Sequence, residues 1–241
     1  MPADFFVSRI GAGSLNKQGG KVSGLELKVE AQAQVRVNLA RRHLDTALYF
    51  ASQCRNIEQA EGTLPWPQPN WNKNQSYAVG AVLLAVAALE AAVNELFRDA
   101  IDHTRILGSV TSDQMRLLAT LWPEVETYPI LRKYQVVLTA CGHAPLPEGE
   151  APFQPCADLV TLRNELVHFK PEWDHELRKH KKLESRLSTK FAQNQLSTQS
   201  AGTMIWFPHQ CLGAGCAEWA CDTVRAFSLV FGQRLGVGTR L

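Results

Sequence analysis

The sequence predicts an all-α protein built from several amphipathic helices. Apolar residues recur at helical spacing along most of the chain after residue 29, and proline and glycine fall between the periodic stretches. The 241 residues are ample for one hydrophobic core, and 45% hydrophobic against 20% charged residues is an ordinary globular composition. We therefore expect one mostly helical domain over residues 30–241, preceded by a segment of different character.

That first segment, residues 1–29, contains apolar stretches at residues 5–7 and 22–29 that are separated by glycines. The pattern predicts either a small β-hairpin or a loose arm. No signal peptide is expected, because residues 1–10 carry an acid and have no long apolar core.

Two long helices follow. The first is predicted over residues 30–61, with one apolar side formed by Val37, Ala40, Leu44, Leu48 and Ala51. A Pro/Trp-rich loop at 64–74 separates it from an Ala-rich helix at 76–102. Residues 77–93 are apolar enough to raise the question of a membrane span, but the run is short and contains Gly80 and Glu90, so we expect a buried bundle helix. A small-residue stripe should let another helix approach closely: Ala81, Ala85, Ala88 and Ala92.

Local signals place the later helices. Thr111 and Gln114 have the spacing of a capping box for a helix that runs to Leu121. Another helix is predicted over residues 129–141 and stops at Gly142. A Pro-rich linker, residues 142–153, leads into the next helix. A basic helix at 173–193, a Ser/Thr/Gln-rich connection and a last helix at 216–235 complete the chain. The core positions of the last helix are Ala220, Val224, Phe227 and Phe231.

The helix after the linker carries the residues of greatest chemical interest. Pro155 suits its first turn, and Pro171 should end it close to His168. One face is predicted to join the core: Leu159, Leu162, Leu166 and Phe169. Asn164 and His168 lie four residues apart on the polar face, whereas Arg163 projects roughly 140° around the axis from His168.

A permanent cation, an amide and a titratable imidazole at the end of a helix are the side chains that metal-free RNA cleavage needs. The angle between Arg163 and His168 leaves two ways to bring them to one phosphate. Either the last turn is distorted ahead of Pro171, or two copies of the helix meet and form a composite site in a symmetric dimer. An ordinary polar helix face with no chemistry is the alternative reading of the same residues.

The run Arg163-Asn164-Glu165-Leu166-Val167-His168 resembles the Arg-(polar)-x-x-x-His motif of the HEPN superfamily (higher eukaryotes and prokaryotes nucleotide-binding). The Ala-rich helix at 76–102 is similar to an early helix of such domains. The resemblance implies a HEPN-like helical bundle and a metal-independent endoribonuclease of toxin–antitoxin or anti-phage defence systems. One HEPN branch carries a Tyr two residues after the His, where this chain has Lys170.

By this resemblance Arg163, Asn164 and His168 are the catalytic residues. His168 would move protons, Arg163 would hold the scissile phosphate, and Asn164 would orient His168 or contact the phosphate. Glu90 and Asn94, four apart on an otherwise apolar helix, would support Arg163 or His168 from a second layer, or else mark where that helix meets solvent. The basic side chains expected to follow an RNA backbone are Lys170, Arg178, Lys179, Lys181, Lys182 and Arg186.

The cysteines argue against a metal site. The chain has six, and no two form a Cys-x-x-Cys pair. His209, Cys211, Cys216 and Cys221 have spacings that would spread zinc ligands around a helix, so reduced, buried thiols of a cytoplasmic protein are expected. No metal and no other cofactor is predicted, because glycine-rich phosphate loops and His-Glu-x-x-His motifs are absent from the sequence.

The expected partners are a second copy of the chain, an RNA substrate and an antitoxin or sensor protein, with no membrane. Two other functions remain open: a catalytically inactive HEPN-fold module that binds or senses nucleotide or RNA, and a helical scaffold for protein assembly. The net charge of +2 is too small to favour nucleic acid by itself.

Overall fold

The computed structural model describes residues 36–102, 108–173, 178–199, 204–239 and 241. The chain divides into two units, Met1–Asn38 and Leu39–Leu241. The hairpin or arm predicted over residues 1–29 lies outside the described residues. The second unit is all α-helical in its regular structure, as the sequence predicts. Its helices are α1 (Ala40–Glu61), α2 (Trp71–Ile101), α3 (Ser112–Val125), α4 (Ile130–Ala140), α5 (Phe153–Val167), α6 (Arg178–Leu187) and α7 (Ala214–Leu235).

Helix α2 is the centre of the bundle. It packs most extensively against α1 and α7, and also contacts α3, α4 and α5. The predicted small-residue stripe is confirmed as a packing face, since all four alanines are buried: Ala81, Ala85, Ala88 and Ala92. By length and composition α2 could also cross a membrane, a property that core helices of soluble proteins share, and half of its most apolar stretch is buried.

Helix α1 begins ten residues later than predicted for the first helix. The backbone N–H groups of Leu39 and Ala40 donate to Glu95 Oε1 at 2.7 and 2.9 Å, so a carboxylate on α2 caps α1 there. The predicted core position Val37 precedes the helix and is 64% exposed, so that prediction was wrong. The predicted positions Ala40, Leu44 and Ala51 are buried.

Helices α3 and α4 form a pair joined by a short turn. The predicted capping box is confirmed, with Gln114 N–H donating to Thr111 Oγ1 and Thr111 N–H donating to Gln114 Oε1. The helix runs four residues beyond the predicted end at Leu121. Gly142 has φ +78° just after α4, the left-handed conformation that ends a helix. The Tyr134 hydroxyl donates to the Leu89 carbonyl at 2.7 Å and ties α4 to α2.

Helix α6 is shorter than the basic helix predicted over residues 173–193. After its last residue, Leu187, the chain turns, and the Phe191 ring lies 5.1 Å from the Trp219 ring on α7. Two short helical turns, Gln195–Gln199 and Trp206–Gln210, lead into α7. The four predicted core positions of α7 are buried: Ala220, Val224, Phe227 and Phe231.

Candidate functional site

Helix α5 presents the Arg163–His168 motif at its carboxyl end. Its inner face is fixed by the fully buried Leu159 and Leu162. Its first half is also held by Asp158, a buried carboxylate that pairs with Arg186 on α6 and with Lys190. The motif residues therefore sit on a helix whose position is set by packing on several sides.

The last turn of α5 keeps its helical hydrogen bond. The His168 N–H donates to the Asn164 carbonyl at 2.9 Å, and helix geometry ends at Val167 as Pro171 predicts. In a regular helix, side chains five positions apart leave the axis about 140° from each other. His168 follows the last helical residue, Val167, and has φ −108° and ψ 35°, outside helical geometry. A composite site formed by two chains stays a prediction.

Arg163 is partly buried on the flank of α5. Its Nε is shielded from solvent and has no hydrogen-bond partner, and the described part of the chain places no carboxylate within ion-pairing distance of its guanidinium. This guanidinium therefore has both charge and donors available for an anion.

Asn164, His168 and Lys170 are all exposed. Asn164 and His168 are four residues apart, and their backbones are joined by the hydrogen bond from the His168 N–H to the Asn164 carbonyl. The arrangement offers a titratable ring, an amide and a cation to a ligand that approaches the end of α5.

Two exposed aromatic residues follow His168 in the chain, and the sequence did not lead us to expect either of them on the surface. Phe169 was predicted in the core but is 46% exposed, and Trp173 is 73% exposed. The core prediction for Phe169 was wrong because α5 ends at Val167, so the helical periodicity no longer sets the side-chain direction. Phe169 stacks on the His180 ring of α6 at 5.7 Å with an interplanar angle of 12°. Aromatic residues around Lys170 and Pro171 were the available signal in the sequence.

Glu90 and Asn94 are both partly buried on α2. Asn94 Oδ1 accepts a hydrogen bond from Lys133 Nζ at 3.0 Å, and Lys133 also lies over the Trp122 ring. Within the described ranges no hydrogen bond joins Glu90 or Asn94 to Arg163 or His168. The structure thus gives Asn94 a different task, which is to hold the buried ammonium of α4.

The predicted basic surface divides into three groups. Lys181 and Lys182 are exposed on α6. Arg186 is engaged with Asp158 and contributes to packing between helices. The side chains of Arg178 and Lys179 lie outside the described residues.

The six cysteines are buried and carry no disulfide. Burial raises the pKa of Cys141 to about 11 and that of Cys221 to about 12, so both stay protonated thiols near neutral pH. The Cys211 pKa is also raised well above its usual value, by burial and then by a hydrogen bond with Cys216. Where side chains are described, no three His, Cys, Asp or Glu residues form a metal-binding group.

Comparisons with protein-family models, with curated proteins and with solved structures give no match for this chain.

Proposed function

We propose that this chain is a metal-independent endoribonuclease with a HEPN-like helical fold. The observation that supports this most directly is that the carboxyl end of one helix carries a partly buried arginine, Arg163, whose Nε has no hydrogen-bond partner, and is followed by an exposed imidazole, His168. Both groups are of the kind that phosphodiester chemistry requires without a metal ion.

In the proposed reaction His168 accepts the proton of a ribose 2′-hydroxyl. The 2′ oxygen then bonds to phosphorus, the bond from phosphorus to the 5′ oxygen breaks, and the leaving oxygen takes up a proton. Arg163 offsets the charge that grows on the phosphate oxygens, and Asn164 orients the imidazole or donates to the phosphate. The products are a 2′,3′-cyclic phosphate and a 5′-hydroxyl.

The exposed surface beside the motif suits an RNA chain. Phe169 and Trp173 offer ring faces on which bases can stack, while Lys170, Lys181 and Lys182 offer charge to the backbone.

Replacing Trp173 with alanine should weaken RNA binding by about tenfold, since one stacked base is worth about 1–3 kcal/mol. The cleavage rate of bound RNA should stay unchanged. A loss of that rate with binding intact would contradict the assignment of Trp173 to binding.

We further propose that the active form is a cytoplasmic homodimer, restrained by an antitoxin or sensor protein in stress or phage defence. The proposal of a dimer rests on helix geometry, because side chains five positions apart leave a regular helix about 140° from each other.

The same angle favours a second candidate, a module with this fold that binds RNA or a nucleotide without cleaving it. In that case Arg163 and His168 of one chain contact separate groups of the ligand.

Incubation of the purified protein with mixed RNA in EDTA distinguishes the two candidates. The enzyme predicts cleavage that EDTA leaves intact and that His168→Ala reduces by about 10²–10⁴-fold. His143→Ala, which changes a partly exposed loop histidine, is the matched control and should keep full activity. RNA binding without cleavage would favour the binding module, and equal cleavage by His168→Ala would identify a contaminating nuclease.

A further inference from the structure

An open groove with a volume of about 780 Å³ lies between α3, α4 and the loop that leads to α5. This volume is within the range of about 300–1,000 Å³ that is typical of small-molecule pockets. The helix α4 turns one face to the groove at the spacing i, i+3, i+4, i+7 and i+8. Most of the wall is apolar, with contributions from Leu117, Leu121, Leu131, Val136, Ala140 and Phe153.

The uncharged polar side chains at the wall are already engaged. Gln135 Nε2 donates to the Leu146 carbonyl at 2.7 Å, and the Leu146 N–H donates to Gln135 Oε1 at 2.9 Å. The Thr139 hydroxyl donates to the carbonyl of Gln135 within α4. Arg234 donates to the carbonyls of Ala144 and Pro145 and holds the loop from outside. The loop before α5 is therefore held in place as the third wall of the groove, and few polar groups of the groove are free to bind a ligand.

Arg132 supplies the cation of this groove. Its guanidinium lies 4.9 Å from the centroid of the Tyr128 ring, which holds it in place, and across the described ranges it forms no ion pair or hydrogen bond. A planar guanidinium is suited to bind a carboxylate with two parallel hydrogen bonds. Glu148, the acid at the wall, is exposed on the loop and forms no ion pair with Arg132.

We propose that this groove binds an acyl-chain carboxylate, with the alkyl chain along the wall of α3 and α4 and the carboxylate on Arg132. A single free cation beside an extended apolar wall matches a ligand with one anionic head and an apolar tail. Binding of this ligand is independent of the proposed ribonuclease activity, because the groove contains neither Arg163 nor His168.

Isothermal titration of the full chain tests the proposal, with decanoate, decanol and decylamine as probes below their micelle concentrations. Decanoate should bind saturably, decanol more weakly and decylamine most weakly. Arg132→Gln should weaken decanoate binding by about tenfold through loss of a charge-assisted hydrogen bond. Glu148→Gln should leave the affinity equal or raise it, because it removes a like charge.

Arg116→Gln is the matched control, since Arg116 is an exposed arginine on α3 that pairs with Asp113 outside the groove. It should leave decanoate binding unchanged. Absence of saturable binding, equal affinity of Arg132→Gln and wild type, or tighter binding of decylamine would each overturn the proposal. Binding of an amphipathic helical peptide without saturable binding of decanoate would also overturn it, and would favour a protein partner.

Discussion

Asp158 is a buried carboxylate that forms ion pairs with two cations, Arg186 and Lys190. It is 2% exposed, accepts from Arg186 Nε at 3.1 Å and lies 3.2 Å from Lys190 Nζ. Asp158 is the sixth residue of α5, just beyond the first turn. A residue counted among the RNA contacts, Arg186, therefore takes part in holding α6 against α5.

Replacing Asp158 with asparagine should destabilise the protein by about 1–3 kcal/mol, because two partly shielded cations lose their counter-charge. The matched control is Asp45→Asn, which breaks the exposed Arg41–Asp45 pair on α1 and should cost less than about 0.5 kcal/mol. Urea unfolding measures both values. Equal losses of unfolding free energy in the two variants would show that ion pairing contributes no more at the buried Asp158 than at the exposed Asp45.

Glu58 on α1 is a second buried carboxylate, and its role is to cap α7. Its Oε1 accepts from the Ala214 N–H, and its Oε2 lies 3.5 Å from the Gln195 N–H. Burial raises the pKa of Glu58 above its usual 4.5, more than the bonds from Ala214 and Gln195 lower it. In the window above pH 4.5 the folded state therefore binds more protons than the unfolded state, and stability falls as the pH rises.

Glu58→Gln should remove this part of the pH dependence. The free energy of unfolding of the wild type should decline relative to the variant as the pH rises from 4.5 through the folded-state pKa. Urea unfolding at a series of pH values measures the difference, with Glu124→Gln on an exposed face of α3 as the control. A difference in unfolding free energy between wild type and Glu58→Gln that stays constant with pH would contradict the raised pKa of Glu58.

At the scale of elements, local sequence signals predicted a helix end well where the residues that form that end are neighbours in the sequence. The capping box of α3, the end of α4 at Gly142 and the end of α5 before Pro171 follow from neighbouring residues. The start of α1 could not be predicted in this way, because its cap is Glu95, 55 residues from Ala40. The exposure of Phe169 depends similarly on where α5 ends and on its stacking with His180.

The candidate site was predictable in its residues more than in its arrangement. The positions of Asn164 and His168 follow from helical spacing, and both are exposed. The hydrogen bond from Lys133 to Asn94 depends on the packing of α4 against α2, which no local pattern encodes. The engagement of Arg186 by Asp158 depends in the same way on contact between α5 and α6.

Thr111→Ala should cost about 0.5–2 kcal/mol, because the first turn of α3 loses its side-chain acceptor. Thr120→Ala is the matched control within the same helix. The Thr120 hydroxyl donates to the Arg116 carbonyl inside the helix, so its loss should be nearly neutral. Thermal and urea unfolding compare the two variants. Equal stability of both would mean that the capping box contributes nothing beyond helix propensity.

At the scale of the whole molecule, the core holds α5, and the residues at its carboxyl end are exposed. The helix packs on α2, α6 and α7. Val167, Phe169 and Trp173, which flank His168 in the sequence, are all exposed apolar residues. Exposed apolar groups of this kind are typical of surfaces that bind a partner or a ligand. A second copy of α5 and a strand of RNA both have to approach this end if the proposed composite site is correct.

A heterodimer of two inactive chains tests the composite site directly. Arg163→Ala and His168→Ala should each abolish cleavage as homodimers. If every site takes Arg163 from one protomer and His168 from the other, a mixed dimer contains one complete site and one site that lacks both groups. Co-expression with two affinity tags and tandem purification isolates that mixed dimer, which should recover about half of the wild-type activity in EDTA. If both groups act within one chain, the mixed dimer should be as inactive as its parents.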